Sequence, residues 1–368
     1  MHEAPPPQPT PEWVNAIADR VAALLIERHL CPAGEVWGLA RRFLGQPLPY
    51  DEVGSGEFLH IVREYDLWDR MPPLDEQERR RVVEFWQRWQ DPKTGRFVDP
   101  RDPGREVNEK YIVGLLNQLG AGPLYPWTTT SETGEIDPAP FLARAREAPD
   151  WERGGWGVAS HTGLMALQIL RAVEEEGRLE LIPALEDGIG LMLSHQGPDG
   201  LWGPGTAPLW GRIGGTLKVL SRLYFQLGMP VPRTRELADT LIRQEEDGEF
   251  FRCSTDVCIP RNVAEVIAYC LEASDYRRGD LLGTLPRVVE DLRAHVNPDG
   301  SMSANRGGPG GIAYGVMYGL GVCGGCLNWI GCRLPDPLLE KRRGAGMRFR
   351  PVLRPDGSVR IVARGAEA

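Results

Sequence analysis

The sequence predicts an all-α fold: an (α/α) barrel or toroid of five to six helical hairpins, with a short C-terminal β-hairpin. Three observations carry this expectation. A glycine-centred turn recurs about every 50 residues. The segments that enter the turn are amphipathic, and those that leave it are apolar on nearly every side. No run of period-two alternation occurs before the tail.

The turn is most complete in "HQGPDGLWG" (His195 to Gly203): Gln, three residues, Gly, one residue, Trp. Pro-Asp-Gly is a turn by mechanism, because Pro presets φ, Asp bonds its own backbone and Gly accepts positive φ. "QEEDGEF" (Gln244 to Phe250) repeats the spacing, and "QDPKTGRF" (Gln90 to Phe97) repeats it with one residue inserted. "HVNPDGSM" (His295 to Met302) keeps the turn and loses the Gln and the aromatic. "PDWERGGWG" (Pro149 to Gly157) keeps only Gly and Trp. Gly95, Gly155, Gly200, Gly248 and Gly300 lie 60, 45, 48 and 52 residues apart, which suits one helical hairpin per repeat.

Taken along the chain, "MHEAPPPQPTPEW" reads as a disordered Pro-rich leader over 1–12, lacking the regions of a signal peptide. The ring is assigned to 13–345, with a small helical extension at its start and repeats clearest over 80–332. In 278–296, Leu281, Leu285, Val288, Leu292 and Val296 form an i, i+3/i+4 stripe, which marks an outer helix. The segments 209–228, 262–273 and 311–331 are apolar all round and read as inner helices. Gly307 to Cys332 carries no Asp, Glu, Lys or Arg, but its glycines at 311, 315 and 319 favour a buried helix over a membrane span. In 346–368, "MRFRPVLRPDGSVRIVA" reads as a terminal β-hairpin.

Hydrophobic residues make up 42% of the 368-residue chain, a globular composition. The net charge of −9 argues against a nucleic-acid partner. Seven Cys is an odd number, and Cys323-x-x-Cys326 has no second pair, so reduced thiols and a cytoplasmic chain are expected.

In a toroid the inner-helix N-termini open on one end of the central cavity, where partial positive charge and free N–H groups suit an anion such as diphosphate. Arg105, Asn108 and Lys110 are placed there, followed by Ser160, His161, Trp210 and Arg212. From later repeats come Arg252, Asp256, Cys258, Arg261 and Asn262, then Asn305, Arg306 and Tyr314. Arg212, Arg252, Arg261, Arg306, Trp210 and Tyr314 are the candidate ligand-binding residues. With four Lys against 38 Arg, a single arginine carries little information. His161 suits a general base, a diphosphate donor or a plain helix-end hydrogen bond.

Gln-x-x-x-Gly-x-Trp on this period resembles the QW motif of squalene and hopene cyclases, and more widely the terpenoid cyclase and protein prenyltransferase toroids. Residues 188–202 match best, with Leu191 where that family usually has an aromatic. The resemblance implies an apolar central cavity and a small hydrophobic, isoprenoid-type ligand. It implies a tie between helices for Gln196 and Trp202, not chemistry. Asp256-x-Cys258 resembles the zinc-ligand pair of prenyltransferase β-subunits, but Gly315 stands where their His belongs, so zinc is doubtful. Compared with the Asp-x-Asp-Asp acid motif of class II terpene cyclases, the stretch keeps Asp256 and has Cys258 and Ile259 at the next two positions. Asp256 and His161 are therefore the candidate catalytic residues, and a helix cap is the plainer role for Asp256.

Two further functions stay open. One is a carbohydrate-active (α/α) barrel, a glycoside hydrolase or polysaccharide lyase, suggested by 11 Trp and a loop (120–140) with Trp127, Glu132, Glu135 and Asp137. The other is a toroid that binds or scaffolds without catalysis.

Overall fold

The computed structural model describes residues 50–365, apart from 65–67, 72, 126–136, 148, 254–255, 299–302, 304 and 307–346, and a few positions between 16 and 40. The leader, the loop carboxylates Glu132 and Glu135, the third inner segment with Tyr314, and the Cys323/Cys326 pair lie outside the described residues.

The described chain is mostly helical and ends in a two-stranded antiparallel sheet. Helix α1 (Glu52–Glu64) packs on α3 (Glu109–Gln118), with α2 (Glu76–Gln87) beside α3. Asp75 starts α2 by accepting a hydrogen bond from the Glu78 N–H at 2.8 Å. Then come α4 (Ala139–Glu147), the short α5 (Pro149–Glu152), α6 (Trp156–Glu175) and α7 (Ile182–Ser194). They are followed by α8 (Leu209–Leu223), α9 (Thr234–Glu246), the short α10 (Glu249–Cys253), α11 (Cys258–Ala273) and α12 (Arg278–Arg293).

Of the three segments expected to be inner helices, the two within the described residues, α8 and α11, lie between other helices. Helix α8 sits between α6 and α11, while α7 covers α6, and α9 and α12 cover α11. Every residue of α11 from Cys258 to Leu271 is buried except Arg261. On α12, Leu281, Leu285 and Val288 are buried as the stripe requires. Burying one such aliphatic side chain contributes roughly 1.5–3 kcal/mol, so each inner helix rests on its neighbours rather than on its own propensity.

Helices α6, α8 and α11 run parallel. At their N-terminal ends Gly154 meets Gly215: a Cβ on Gly215 would lie 1.9 Å from the Gly154 carbonyl oxygen. Gly154 has φ +102°, so neither position accepts a larger residue without backbone movement. At the other end Tyr224 and Tyr269 stand edge to face with centroids 4.6 Å apart.

In the terminal sheet, β1 (Phe349–Leu353) pairs with β2 (Val359–Ala363). The connection is again Pro-Asp-Gly, with Gly357 at φ +83° and the Ser358 N–H bonded to Asp356 Oδ1 at 2.9 Å. The hairpin docks on α7, where Glu186 accepts from the Ile361 N–H at 2.8 Å, and the Phe349 N–H bonds Glu174 of α6. Both outer edges thus give an otherwise open N–H to a carboxylate, which blunts them against further strand pairing.

Candidate functional site

The Gln–aromatic turns are ties between helices. Gln196 and Trp202 close an isolated antiparallel bridge. Gln196 Nε2 donates to the carbonyls of Gly200 at 2.9 Å and Pro232 at 2.8 Å, reaching the chain just before α9. The fully buried Trp202 donates its indole N–H to the Met192 carbonyl at 2.8 Å, satisfying a free acceptor in the last turn of α7. Its backbone N–H goes to Thr216 Oγ1 of α8 at 3.0 Å. Gln90 repeats the pattern: it bridges Phe97, and its Nε2 donates to the carbonyls of Gly95 (2.7 Å) and Tyr125 (2.9 Å). The third copy departs from expectation. Gln244 lies within α9, and α10 follows directly, so helix has replaced the bridge although Phe250 is still buried.

Arg212 belongs to this tie and not to an open ligand site. It is buried, and its guanidinium grips Asp199 with two bonds of 2.6 and 2.7 Å and reaches the Gly203 carbonyl at 3.2 Å. Burial alone would raise the Asp199 carboxyl, but the Arg212 charge holds it below the usual range. Arg105 is committed in the same way, to Glu52 at 2.6 Å and Asp99 at 2.9 Å.

Just ahead of α11, Asp256 precedes the N-cap Val257 and closes a local turn. Its Oδ1 accepts from the Cys258 N–H at 2.7 Å, and its backbone pairs with Asn305. The Cys258 thiol is buried against that carboxylate; desolvation first, then the negative charge, pushes it far up, away from the thiolate a metal needs. Among the described residues no third His, Cys, Asp or Glu joins the pair to form a metal cluster. Among the described residues, Asp256 and Cys258 alone do not make a zinc site. Arg261 is paired with the fully buried Glu265 at 2.7 Å. Arg252 bonds Glu249 and the Asp247 carbonyl. Arg306 lies 3.9 Å over the Phe251 ring and donates to the Phe251 carbonyl at 2.8 Å. Of the sugar-site carboxylates, the described Asp137 caps α4 through the Ala139 N–H at 2.8 Å.

What remains open at the inner-helix end is largely apolar. Trp210 is 45% exposed beside Trp156, ring centroids 5.8 Å apart. Phe251, just ahead of α11, is 50% exposed, and Leu164, midway along α6, is 40% exposed. His161 is exposed on α6, one turn from Leu164, with Nδ1 on the Gly157 carbonyl at 3.0 Å. The N-caps of α6 and α8 are Gly155 and Pro208, and neither supplies a side-chain cap. In their first turns, Asp150 Oδ2 lies against Gly157 and the Arg153 carbonyl against Gly211. Sequence reasoning found Trp210 and His161 but missed Leu164 and Phe251, because an apolar residue on an apolar helix carries no mark of its exposure.

It also missed Asp291 on α12, a carboxylate only 8% exposed. Burial pushes it up to about 7; Glu245 and Glu290 push the same way, and Arg306 opposes them.

Among the described residues no helix is long and apolar enough to cross a membrane. No protein-family model, no curated protein and no solved structure matches this chain.

Proposed function

We propose that the chain is a helical toroid of the terpenoid cyclase and protein prenyltransferase type, which binds an isoprenoid-type ligand where its inner helices begin. The observation that carries this reading is the set of exposed apolar side chains Trp210 and Phe251, near the starts of α8 and α11, with Leu164 midway along α6. A prenyl chain gains about 25 cal/mol for each Å² of such surface it covers. The role proposed is binding and not acid-catalysed cyclisation, since Asp256, the acid the resemblance would use, is engaged in a local turn with the Cys258 N–H. A reducing, cytoplasmic setting accords with free thiols at Cys253, Cys258 and Cys270.

The test is a titration of geranylgeranyl diphosphate into the full chain, followed by tryptophan fluorescence. Saturable quenching, weakened at least tenfold in both Trp210→Ala and Leu164→Asp, is expected. No saturable signal, or one unchanged in both variants, overturns the proposal.

A further inference from the structure

We infer that the arginine face of the C-terminal hairpin is a docking surface for the phosphate backbone of duplex DNA. The observation is independent of the isoprenoid proposal. In an antiparallel pair, partners across the ladder point to the same side. The register Phe349↔Ala363, Pro351↔Ile361 and Leu353↔Val359 therefore gathers six apolar residues on one face. Pro351, Val359 and Ile361 are buried there. The other face takes Arg350, Val352, Arg360 and Val362. Hydrogen bonds of Arg354 N–H to the Ser358 carbonyl and Arg364 N–H to the Arg348 carbonyl extend the register by one pair at each end. All five arginines of the hairpin, at 348, 350, 354, 360 and 364, thus fall on one side, and Arg348, Arg354, Arg360 and Arg364 are exposed.

The charge balance is local. Residues 347–365 hold five Arg and one Asp in a chain of net −9. Arg360 also pairs with Glu186 at 3.0 Å, which orients it along the hairpin. Glu186 offsets Arg360, so the surplus positive charge of this face rests on Arg348, Arg354 and Arg364; at physiological salt the screening length is about 8 Å, and more distant carboxylates weigh little.

The shape selects among polyanions. Two strands about 4.8 Å apart form a ribbon, and the major groove of B-DNA, about 12 Å wide, admits one. The guanidinium fork matches phosphate oxygens. The deep, narrow major groove of an RNA duplex does not admit it. A single strand would need an aromatic platform, and no aromatic lies on this face, since Phe349 is on the other. A bilayer would need apolar side chains to insert, and the apolar face is turned towards α7. Binding is accordingly independent of base sequence.

The test uses the full chain and a fluorescently labelled mixed-sequence DNA duplex, with anisotropy read over a salt series. Three to four phosphate contacts from the exposed arginines set a log–log slope of about −3 to −4. Arg354→Glu with Arg364→Glu is expected to weaken binding at least tenfold and to lower the slope by about 2, with circular dichroism unchanged. The corresponding double Lys variant should bind like the wild type. Absence of duplex binding at low salt, or binding that the charge reversal leaves intact, overturns the inference. Tighter binding to a single strand, to duplex RNA or to phosphatidylserine vesicles than to duplex DNA overturns it as well.

Discussion

Gln196 and Pro232 are joined by one hydrogen bond where Gln90 and Tyr125 share two. Both glutamines donate Nε2 to the carbonyl of the residue 35 or 36 positions on. Tyr125 returns its own N–H to Gln90 Oε1 at 2.9 Å, whereas Pro232 has no N–H, and Gln196 Oε1 is left buried without a partner. Restoring the donor with Pro232→Ala adds a hydrogen bond worth about 1 kcal/mol. Freeing the unfolded chain offsets it by about 0.4–1 kcal/mol. We expect Pro232→Ala to be near neutral in the wild type and destabilising in a Gln196→Leu background. The coupling in that double-mutant cycle, from urea unfolding, should be about 1 kcal/mol; zero coupling would show that the new N–H does not meet Gln196.

Asp199 and Arg212 should behave as a buried pair. Asp199→Asn leaves a nearly inaccessible guanidinium without its counter-charge, at a cost of about 3 kcal/mol near neutral pH. The sign with pH follows from the lowered Asp199 carboxyl. Its contribution is present above the unfolded value and is lost as pH falls through the lower folded one. Urea midpoints of wild type and variant should therefore converge in acid; a constant gap would contradict this.

Asp291 should show the opposite dependence. Its folded value is raised to about 7, so the folded chain holds a proton that the unfolded chain has released. The group's contribution is complete below the unfolded carboxyl value and is lost as pH rises through about 7. Asp291→Asn should stabilise the chain at pH 8 by up to about 4 kcal/mol and change little in acid. Thermal unfolding across pH measures it, and a variant with the wild-type slope would remove Asp291 as its source.

Asp256 is expected to matter for stability alone. Asp256→Ala should cost about 1 kcal/mol, the ordinary value of one hydrogen bond. Geranylgeranyl diphosphate binding should be unaltered in the same preparation. A loss of binding without a loss of stability would return Asp256 to the ligand site.

The helices and the Gln–aromatic turns were legible because they rest on local rules. The turn at Gly200 needs positive φ, and α8 and α11 are apolar on every side because they are buried on nearly every side. The hairpin was legible because its odd positions are apolar and its even ones mostly arginine. The site was less so. A sequence places Arg212 at a helix start but does not show that Asp199, thirteen residues earlier, occupies both of its donor groups. Gln244 has the spacing of the other ties, yet the helix propensity of its neighbours carried α9 through it. Asp291 lies on a surface-patterned helix, and only packing against Glu245 of α9 reveals its burial.

The central claim is that an isoprenoid lies against the starts of the inner helices. Photo-crosslinking with a benzophenone-bearing prenyl diphosphate, followed by peptide mapping, tests it most directly. Labelled peptides that contain Leu164, Trp210 or Phe251 are expected, with labelling displaced by unmodified geranylgeranyl diphosphate. Labelling confined to other peptides, or labelling that the unmodified ligand fails to displace, would contradict it.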